Sequence, residues 1–494
     1  MTDESFFTLV APQFDAARGN PFLTAPDGGT RSYAEIGDLA RRVASALAAA
    51  GARPGDRIAV QVEKSAENVA LYLAALLGGF VYLPLNTAYT DEELSYFIAD
   101  AEPAIFVTDP ARAGSAPGGP QTLTLDAQGR GSLTEAAQSA GPAAPVTRER
   151  DDLAVILYTS GTTGRPKGAM ITHGNLTSNT RALHRIWGFR PGDVLLHALP
   201  VFHIHGLFVA LGTAMLNGSE ILFLPKFDAG DVRRLLPRAS VMMGVPTFYS
   251  RLLADPDFGV KDCRSVRLFV SGSAPLTPET FKAFEARTGR RILERYGMSE
   301  AGMIASNPLD GERIAGTVGY PLPGVELRIG EGGVVEVRGP NVFKGYWRNP
   351  EKTAAEFREG GWFSTGDVGA LSADGRLTLS GRAKDLIIVG GYNVYPREIE
   401  DVLDALPGIA ESAVIGVPHP DMGEGVVAAL VPAHGSAAAP PLSDDDLKRA
   451  VARLARFKQP RKFVWLDALP RNAMGKVQKA ALRSAHQDAF KRPD

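Results

Sequence analysis

The chain has 494 residues, of which 45% are hydrophobic and 22% are charged, with a formal net charge of -2. That length predicts more than one domain, and the small net charge argues against nucleic acid or an anionic membrane as the main partner. The single cysteine, Cys263, excludes an intramolecular disulfide and favours a reducing, cytoplasmic location. Asp3 and Glu4 argue against a secretory signal or a transit peptide.

The first third of the chain alternates predicted helices and strands. Ser32 and Glu35 have the spacing of a capping box, which predicts a helix within 31–54. Residues 56–62 and 151–159 contain short apolar runs that predict buried strands of an α/β fold. The most apolar stretch, 69–85, is broken by glycine and proline, so it predicts a buried helix and a strand and no membrane span.

The pattern of apolar residues and glycines changes twice in the last third of the sequence. Residues 325–381 contain short apolar runs with glycine turns, a pattern that predicts a mostly β subdomain. A compact α+β pattern begins after residue 381. The predicted fold class is therefore α/β plus α+β.

A segment rich in glycine and hydroxyl residues follows the strand predicted within 151–159. Its glycines allow tight turns with exposed N–H groups, its hydroxyls add donors and its lysine adds charge, so it predicts a phosphate-binding loop. It is not a Walker A loop, because a proline stands where that motif has its second glycine. The alternative is a flexible turn without chemistry. The residues are Thr159, Ser160, Gly161, Thr162, Thr163, Gly164, Arg165, Pro166 and Lys167.

Further motifs follow in a fixed order, and together they resemble the adenylate-forming superfamily of acyl-CoA synthetases, adenylation domains and luciferases. They are Gly272-Ser273-Ala274-Pro275, Glu294-Arg295-Tyr296-Gly297-Met298-Ser299-Glu300, Ser364-Thr365-Gly366-Asp367, Gly381-Arg382-Ala383-Lys384-Asp385, Gly390-Gly391-Tyr392 and Pro470-Arg471-Asn472-Ala473-Met474-Gly475-Lys476. Ser299 replaces the usual threonine and keeps its hydroxyl. The resemblance covers nearly the whole chain.

The resemblance implies a large multi-sheet N-terminal domain, 1–381, and a small mobile C-terminal α+β domain, 386–494, joined by a hinge at 382–385. It implies ATP and Mg²⁺ as cofactors, coenzyme A as a substrate, and a rotation of the small domain between two half-reactions. Lys384 lies at the hinge. The paired glycines Gly390 and Gly391 are expected to line the passage for the CoA thiol, with a tight hairpin turn as the alternative.

The resemblance also implies roles for individual residues. Thr159 and Glu300 are the expected metal ligands, and Thr159, Glu300, His203 and Lys476 are the expected catalytic residues. Nucleotide contacts are expected from the loop 159–167, Gly272, Ser273, Ala274, residues 294–299, Asp367, Arg382, Lys384 and Lys476. Of these, Tyr296 is expected to stack on adenine and Asp367 to bind the ribose hydroxyls.

The acyl pocket is predicted from two segments that resemble malonyl-CoA and methylmalonyl-CoA synthetases. The first contains His203 and His205, and the second places Arg251 one helical turn after Thr247. A guanidinium buried in an apolar wall is costly unless an anion pairs with it, so Arg251 predicts a substrate with a second carboxylate. The predicted substrate residues are His203, His205, Arg251 and Ser273. The alternative is a surface ion pair for Arg251.

The expected function is ATP-dependent ligation of malonate, and of methylmalonate, to CoA through an acyl-adenylate. Four alternatives stay open: a short-chain or aromatic monocarboxylate ligase, a free-standing adenylation enzyme that loads a carrier protein, a luciferase-like oxygenase, and a catalytically dead binding protein. A lysine acetyltransferase and a deacetylase are expected partners of Lys476, because acetylation removes its charge.

Overall fold

The structure is a computed structural model that describes residues 4–115, 118–159, 166–433, 442–472 and 475–491. In the described residues the strands, in chain order, are β1 (Pro21–Thr24), β2 (Thr30–Ser32), β3 (Arg57–Gln61), β4 (Val81–Pro84), β5 (Ile105–Thr108), β6 (Gln121–Thr124), β7 (Leu153–Thr159), β8 (Lys167–Thr172), β9 (Val194–His197), β10 (Glu220–Phe223), β11 (Val241–Gly244), β12 (Leu268–Ser271), β13 (Ile292–Met298), β14 (Gly302–Ser306), β15 (Tyr320–Pro321), β16 (Glu326–Ile329), β17 (Val334–Arg338), β18 (Phe357–Arg358), β19 (Trp362–Leu371), β20 (Leu377–Arg382), β21 (Ile387–Val389), β22 (Tyr392–Val394), β23 (Ile409–His419), β24 (Gly423–Pro432) and β25 (Lys462–Trp465).

The α-helices of the same residues are α1 (Phe6–Ala16), α2 (Tyr33–Ala49), α3 (Ala66–Leu77), α4 (Asp91–Ala101), α5 (Ser132–Ser139), α6 (His173–Ile186), α7 (Leu211–Asn217), α8 (Ala229–Leu235), α9 (Pro246–Ala254), α10 (Pro278–Thr288), α11 (Pro350–Glu356), α12 (Pro396–Asp404), α13 (Asp444–Val451) and α14 (Lys479–Ala485). A short π-helix, His205–Ala210, precedes α7. None of the described helices has both the length and the apolar character that crossing a membrane requires.

The elements predicted in the first third are confirmed. The Ser32 hydroxyl accepts from the Glu35 backbone N–H and the Glu35 carboxylate accepts from the Ser32 backbone N–H, so the predicted capping box begins α2. The apolar stretch 69–85 forms most of α3 and all of β4, both buried. The apolar run within 151–159 forms β7, which pairs in parallel with β4 at its centre.

Two sheets make up most of the large N-terminal part. One has nine strands in the order β15-β14-β13-β12-β11-β9-β10-β1-β2, and the other has six in the order β6-β5-β3-β4-β7-β8. In the first sheet, β9 to β13 and β1 run parallel to their neighbours within that group. Because the carboxyl ends of parallel strands meet at one edge, the loops after β9, β11 and β12 lie side by side there.

Two five-stranded sheets complete the molecule. The segment 325–381 forms one of them, with β16, β17, β19 and β18 in that order and β20 paired to β19. The other lies after residue 385 and contains β22, β21, β24 and β23, with β25 paired to β24. The fold class is thus confirmed as α/β plus α+β. The main buried cluster ends at Leu377, and two separate clusters begin at Ile387 and Ala413.

Candidate active site

Arg295 is the most unusual charged residue of the large domain, because it is 3% exposed and belongs to β13. Its Nε and Nη2 atoms are buried without a hydrogen-bond partner among the described residues. Burial lowers the pKa of Arg295 to about 9, so the guanidinium keeps its charge at neutral pH. A buried, unpaired guanidinium is costly, which indicates that an anion completes the site.

Gly272 leaves the space that this guanidinium occupies. A Cβ built at residue 272 would lie 2.3 Å from Cζ and 2.5 Å from Nε of Arg295. Gly272 directly follows β12, whose residue Ser271 pairs with Glu294 in β13. The glycine is therefore a packing requirement, and the predicted nucleotide turn also forms the floor beneath Arg295.

His205 adds another unpaired donor at the same place. Its Nδ1 lies 3.3 Å from Ser273 Oγ, while its Nε2 is buried without a partner in the described residues. Burial, followed by the charge of Arg295, lowers the pKa of His205 well below its usual value, so the ring is neutral. If Nδ1 accepts from the Ser273 hydroxyl, Nε2 carries the hydrogen and can donate it to a ligand. Ser273 has a left-handed φ of 71°, a strained conformation typical of functional sites.

The nucleotide side of the cleft is built around Asp367 on β19. The Tyr296 hydroxyl donates to Asp367 Oδ2, and Arg382 Nε lies 2.6 Å from Asp367 Oδ1. Asp367 and Arg382 are paired across β19 and β20, so sheet register holds this contact. The carboxylate is 6% exposed and is oriented by the partners expected for a ribose-binding acid.

Glu300 forms a separate oxygen-rich cluster. Its Oε1 accepts from the Thr159 hydroxyl at 3.2 Å and from the Tyr346 hydroxyl at 3.3 Å. Burial raises the pKa of Glu300, so a cation would favour its charged form. One carboxylate with a neighbouring hydroxyl suits Mg²⁺, which takes its remaining ligands from water and phosphate. No group of three acidic, histidine or cysteine residues that could hold a metal occurs in the described part of the chain.

The phosphate loop is described only at its ends. Thr159 ends β7, Lys167 begins β8, and the Pro166 carbonyl accepts a hydrogen bond of 2.8 Å from Tyr96. Burial and the charge of Lys352 lower the pKa of Lys167, which lies 5.6 Å from the Tyr346 ring. The predicted loop residues Ser160, Gly161, Thr162, Thr163, Gly164 and Arg165 lie outside the described residues.

Lys476, from the small domain, reaches the cleft of the large domain. The Lys476 residue keeps contact with solvent, while the atoms around its ammonium partly desolvate it. This desolvation, followed by the charge of Arg382, lowers the pKa of Lys476 against the opposing effect of Asp367. Burial, Arg295 and then Lys476 lower the pKa of His203 to about 3. The ammonium and the acyl-side histidine are thus close enough to interact, and this arrangement brings the predicted catalytic lysine to the site.

Family models match both parts of this architecture. Residues 13–347 match the AMP-binding enzyme model, and residues 398–476 match the model of the AMP-binding enzyme C-terminal domain. The chain belongs to the AMP-binding enzyme family.

Three relatives within the AMP-binding enzymes illustrate the similarity. ATP-bound MatB from Rhodopseudomonas palustris is 49% identical, with a TM-score of 0.94, and the match covers 99% of this chain and 100% of that one. The mitochondrial malonate–CoA ligase ACSF3 of Mus musculus is 36% identical over 92% of this chain and 86% of its own. A feruloyl-CoA synthase from an Amycolatopsis species is also 36% identical, and the match covers 94% of this chain and 96% of that one.

The arrangement of the two domains resembles the ATP-bound state of MatB. The apo structure of the same protein, at 49% identity and with the same coverage, 99% of this chain and 100% of that one, has a TM-score of 0.83 against 0.94 for the ATP-bound structure. In AMP-binding enzymes two domains share one cleft, so a difference of this kind is expected from domain rotation.

The structure does not bury Arg251, and its contact with the substrate stays a prediction. Arg251 is exposed on α9, whose buried face consists of Phe248, Tyr249 and Leu252. Thr247 and Arg251 do share a helix face, but that face is only partly covered. The cost of an unpaired buried guanidinium, which motivated the prediction, applies to Arg295 instead.

The two predicted nucleotide residues Glu294 and Arg295 lie on opposite faces of β13. Successive side chains of a strand point to opposite faces, so Glu294 and Arg295 diverge. Arg295 faces the histidines, as described above. Glu294 accepts from the Leu276 backbone N–H at 3.0 Å and interacts electrostatically with Arg397 and Asp401 of α12, so it faces the small domain.

The other predicted residues fall into two groups. Ala274 is partly buried, as are Gly297, Met298 and Ser299, which lie between Tyr296 and Glu300 in the chain. A Cβ at Gly297 would lie 2.4 Å from the Gly302 carbonyl, which explains that glycine by packing. Gly390 and Gly391 are exposed, with φ of 57° and 85°, at the turn between β21 and β22. Lys384 lies in a short 3-10 turn, Ala383–Asp385, where burial lowers its pKa.

Sequence reasoning missed the burial of Arg295 beside the histidines, and it missed Tyr346 beside Glu300. A signal for the burial of Arg295 was present, since it lies two residues after the buried apolar pair Ile292 and Leu293 in the strand Ile292–Met298. A strand of that type is expected to be buried on both faces, so its charged residues need partners. Tyr346 carries no comparable signal, because its contact with Glu300 joins residues 46 positions apart.

Proposed function

We propose that this chain is an ATP-dependent ligase that converts malonate, and methylmalonate, with ATP and coenzyme A into the CoA thioester, AMP and pyrophosphate. The observation that carries the substrate assignment is a set of three buried nitrogen atoms without a partner in the described residues: His205 Nε2, Arg295 Nε and Arg295 Nη2. The two Arg295 atoms are donors, and His205 Nε2 is a donor when Nδ1 accepts from Ser273. The names of two relatives, malonate–CoA ligase and MatB bound to ATP, agree with the substrate assignment.

The donor set matches a carboxylate and does not match an apolar acyl chain. An unsatisfied buried donor costs roughly 1–3 kcal/mol, and more when the group is charged. A distal carboxylate accepts from Arg295 and His205 together, through charge-assisted bonds that are stronger than neutral ones. A monocarboxylate would leave all three donors without an acceptor, so the site should reject it.

In the first half-reaction, a carboxylate oxygen of malonate attacks the α-phosphorus of ATP, and the bond to pyrophosphate breaks. Lys476 orients that carboxylate and stabilises the charge that develops on the phosphoryl oxygens. The neutral His203 contacts the same carboxylate without repelling Arg295. Mg²⁺, when bound by Glu300 and Thr159, neutralises phosphate charge. Asp367 and Arg382 hold the ribose, and Tyr296 packs on the adenine.

In the second half-reaction, the CoA sulfur attacks the acyl carbon, a C–S bond forms, and AMP leaves. Lys476 occupies the cleft in the arrangement seen here, so the small domain rotates about 382–385 before the thiol enters. Gly390 and Gly391 are exposed in this arrangement and reach the cleft only after that rotation. The left-handed turn that they form presents backbone without side chains to the pantetheine arm.

Pyrophosphate release with a panel of acids tests the proposal. We expect malonate to react fastest and methylmalonate at a similar rate, with succinate, acetate and coumarate far slower. Malonamate, in which an amide replaces the distal carboxylate, should lose about 10⁴-fold in kcat/KM, because the Arg295 charge then lacks its partner. Equal rates for malonate and malonamate would refute the dicarboxylate assignment.

An aromatic or short-chain monocarboxylate ligase is the second candidate, and the feruloyl-CoA synthase relative favours it. Coumarate turnover above malonate turnover would establish it. Omitting coenzyme A separates both candidates from an enzyme that loads a carrier protein, since only CoA ligases release AMP repeatedly when CoA is present.

We also propose a cellular compartment for the enzyme and regulation by acetylation of Lys476. The cytoplasm is the proposed compartment, because a single cysteine fits a reducing environment. A lysine acetyltransferase and a deacetylase are proposed to act on Lys476, which is solvent-accessible and loses its positive charge on acetylation. Mass spectrometry of protein purified from cells, with activity measured before and after enzymatic deacetylation, tests this.

A further inference from the structure

Lys64 is a largely buried ammonium that none of the site motifs includes. It lies in the loop between β3 and α3, and its Nζ donates to the His197 carbonyl at 2.9 Å and contacts His197 Nδ1 at 2.8 Å. The ammonium also lies 4.2 Å from the centroid of the Phe223 ring. Within the described residues, no carboxylate is within ion-pair distance of Lys64.

His197 connects Lys64 to Gly206, the residue next to His205. The ring is fully buried at the end of β9, and its Nε2 lies 3.0 Å from the Gly206 carbonyl. A carbonyl can only accept, so Nε2 carries the hydrogen and Nδ1 has a free lone pair. Lys64 therefore donates to Nδ1. Burial and Lys64 both lower the pKa of His197, consistent with a neutral ring held in one tautomer.

Gly206 links His197 to the predicted substrate residue His205. It lies in the π-helix His205–Ala210, and its carbonyl also accepts from the Leu211 backbone N–H. A Cβ at residue 206 would lie 2.0 Å from the Pro200 carbonyl, so the turn is packed tightly. The preceding residue is His205, whose unpaired Nε2 belongs to the donor set. A single-turn π-helix of this type is common at functional sites.

We infer that Lys64 is a positioning residue for carboxylate recognition, acting through His197 and the Gly206 carbonyl to hold His205 at the acyl pocket. Lys64 belongs to the loop after a strand of the six-stranded sheet, and His197 belongs to the nine-stranded sheet. The contact therefore joins the two sheets beneath the pocket. This inference rests on the proposed function, because it gives His205 the distal carboxylate as its ligand.

The competing explanation is that Lys64 only stabilises the fold. A loss of stability lowers the amount of active enzyme and affects every substrate alike. Displacement of His205 instead raises the KM for malonate, leaves the KM for ATP unchanged, and lowers the preference for malonate over malonamate. These readouts separate a positioning role from a structural one.

The test compares Lys64→Met with Lys64→Arg and with the control Lys226→Met, which removes an exposed lysine after β10. We expect Lys64→Met to raise the KM for malonate about tenfold, with the KM for ATP within about twofold of the parent value. Lys64→Arg keeps a charged donor and should recover most of the affinity. Lys226→Met should equal the parent enzyme.

An equal change in KM for malonate and for malonamate in Lys64→Met would overturn the inference. The same KM for malonate in Lys64→Met and Lys226→Met would also overturn it. If Lys64→Met does not fold, His197→Gln and His197→Leu replace it. Glutamine can still donate to the Gly206 carbonyl and leucine cannot, so equal malonate KM values in these two variants would also overturn it. If the parent enzyme activates no dicarboxylate, the proposed function has failed instead.

Discussion

Gly272 and Arg295 are packed so that the backbone of the first faces the guanidinium of the second. Any side chain at residue 272 would overlap Arg295, because a Cβ there would come within 2.3 Å of Cζ. The turn that the sequence associates with adenine thus also determines where the Arg295 guanidinium lies. This relationship couples the nucleotide and acyl sides of the cleft.

Gly272→Ala tests that coupling. The added methyl group should displace the Arg295 guanidinium, and a displacement of about 1 Å is expected to lower kcat/KM for malonate about a hundredfold. Steady-state kinetics with malonate and malonamate are the measurement, and the fall should be larger for malonate. Gly141→Ala is the control, because a Cβ there meets nothing within 4 Å. A uniform loss with both acids would argue against displacement of Arg295.

Arg295→Met should abolish the preference for dicarboxylates. We expect kcat/KM for malonate to fall about 10⁴-fold, while the low activity with acetate changes little, because the pocket loses its buried charge. Arg251→Ala should lower kcat/KM for malonate less than about tenfold, since an exposed charge contributes little binding energy. Both variants are measured by pyrophosphate release. A larger loss in Arg251→Ala than in Arg295→Met would reverse the assignment of the two arginines.

Lys476→Ala should separate the two half-reactions. Adenylation is expected to be abolished, because the ammonium beside the α-phosphate is lost, while thioester formation from supplied malonyl-adenylate and CoA should remain largely intact. The two half-reactions are assayed separately, with Lys282→Ala on the exposed side of α10 as the control. Equal damage to both half-reactions would contradict the rotation of the small domain.

Asp404 at the end of α12 predicts a pH-dependent stability. Burial raises the pKa of Asp404 to about 7, and the negative charge of Glu400 acts in the same direction. An acid whose pKa is raised on folding binds more protons in the folded state, so the free energy of unfolding falls as pH rises from about 4 to about 7. Urea unfolding measures the free energy of unfolding at pH 5 and at pH 8. The decrease in that free energy from pH 5 to pH 8 should be smaller in Asp404→Asn than in the parent protein. Identical pH dependence would exclude this carboxylate as a cause.

Local sequence determined much of this protein. The Ser32 capping box, the apolar run of β7, and the glycine and hydroxyl residues after it depend on neighbours a few positions away, so their structure can be predicted from pattern alone. The order of the motifs likewise predicts the family, the fold class and the use of ATP and CoA. Helical spacing placed Thr247 and Arg251 on one face of α9.

Tertiary structure decided which arginine is buried. Helical spacing states which side chains share a face, but only the packing of α9 against Phe227 and Val270 determines which face is buried. Arg295 is buried because β12, β13 and the Gly272 turn meet around it. Lys64 and His197 are 133 residues apart and meet only because two sheets pack together. Burial of a charge depends on all the elements around it, and no local pattern contains that information.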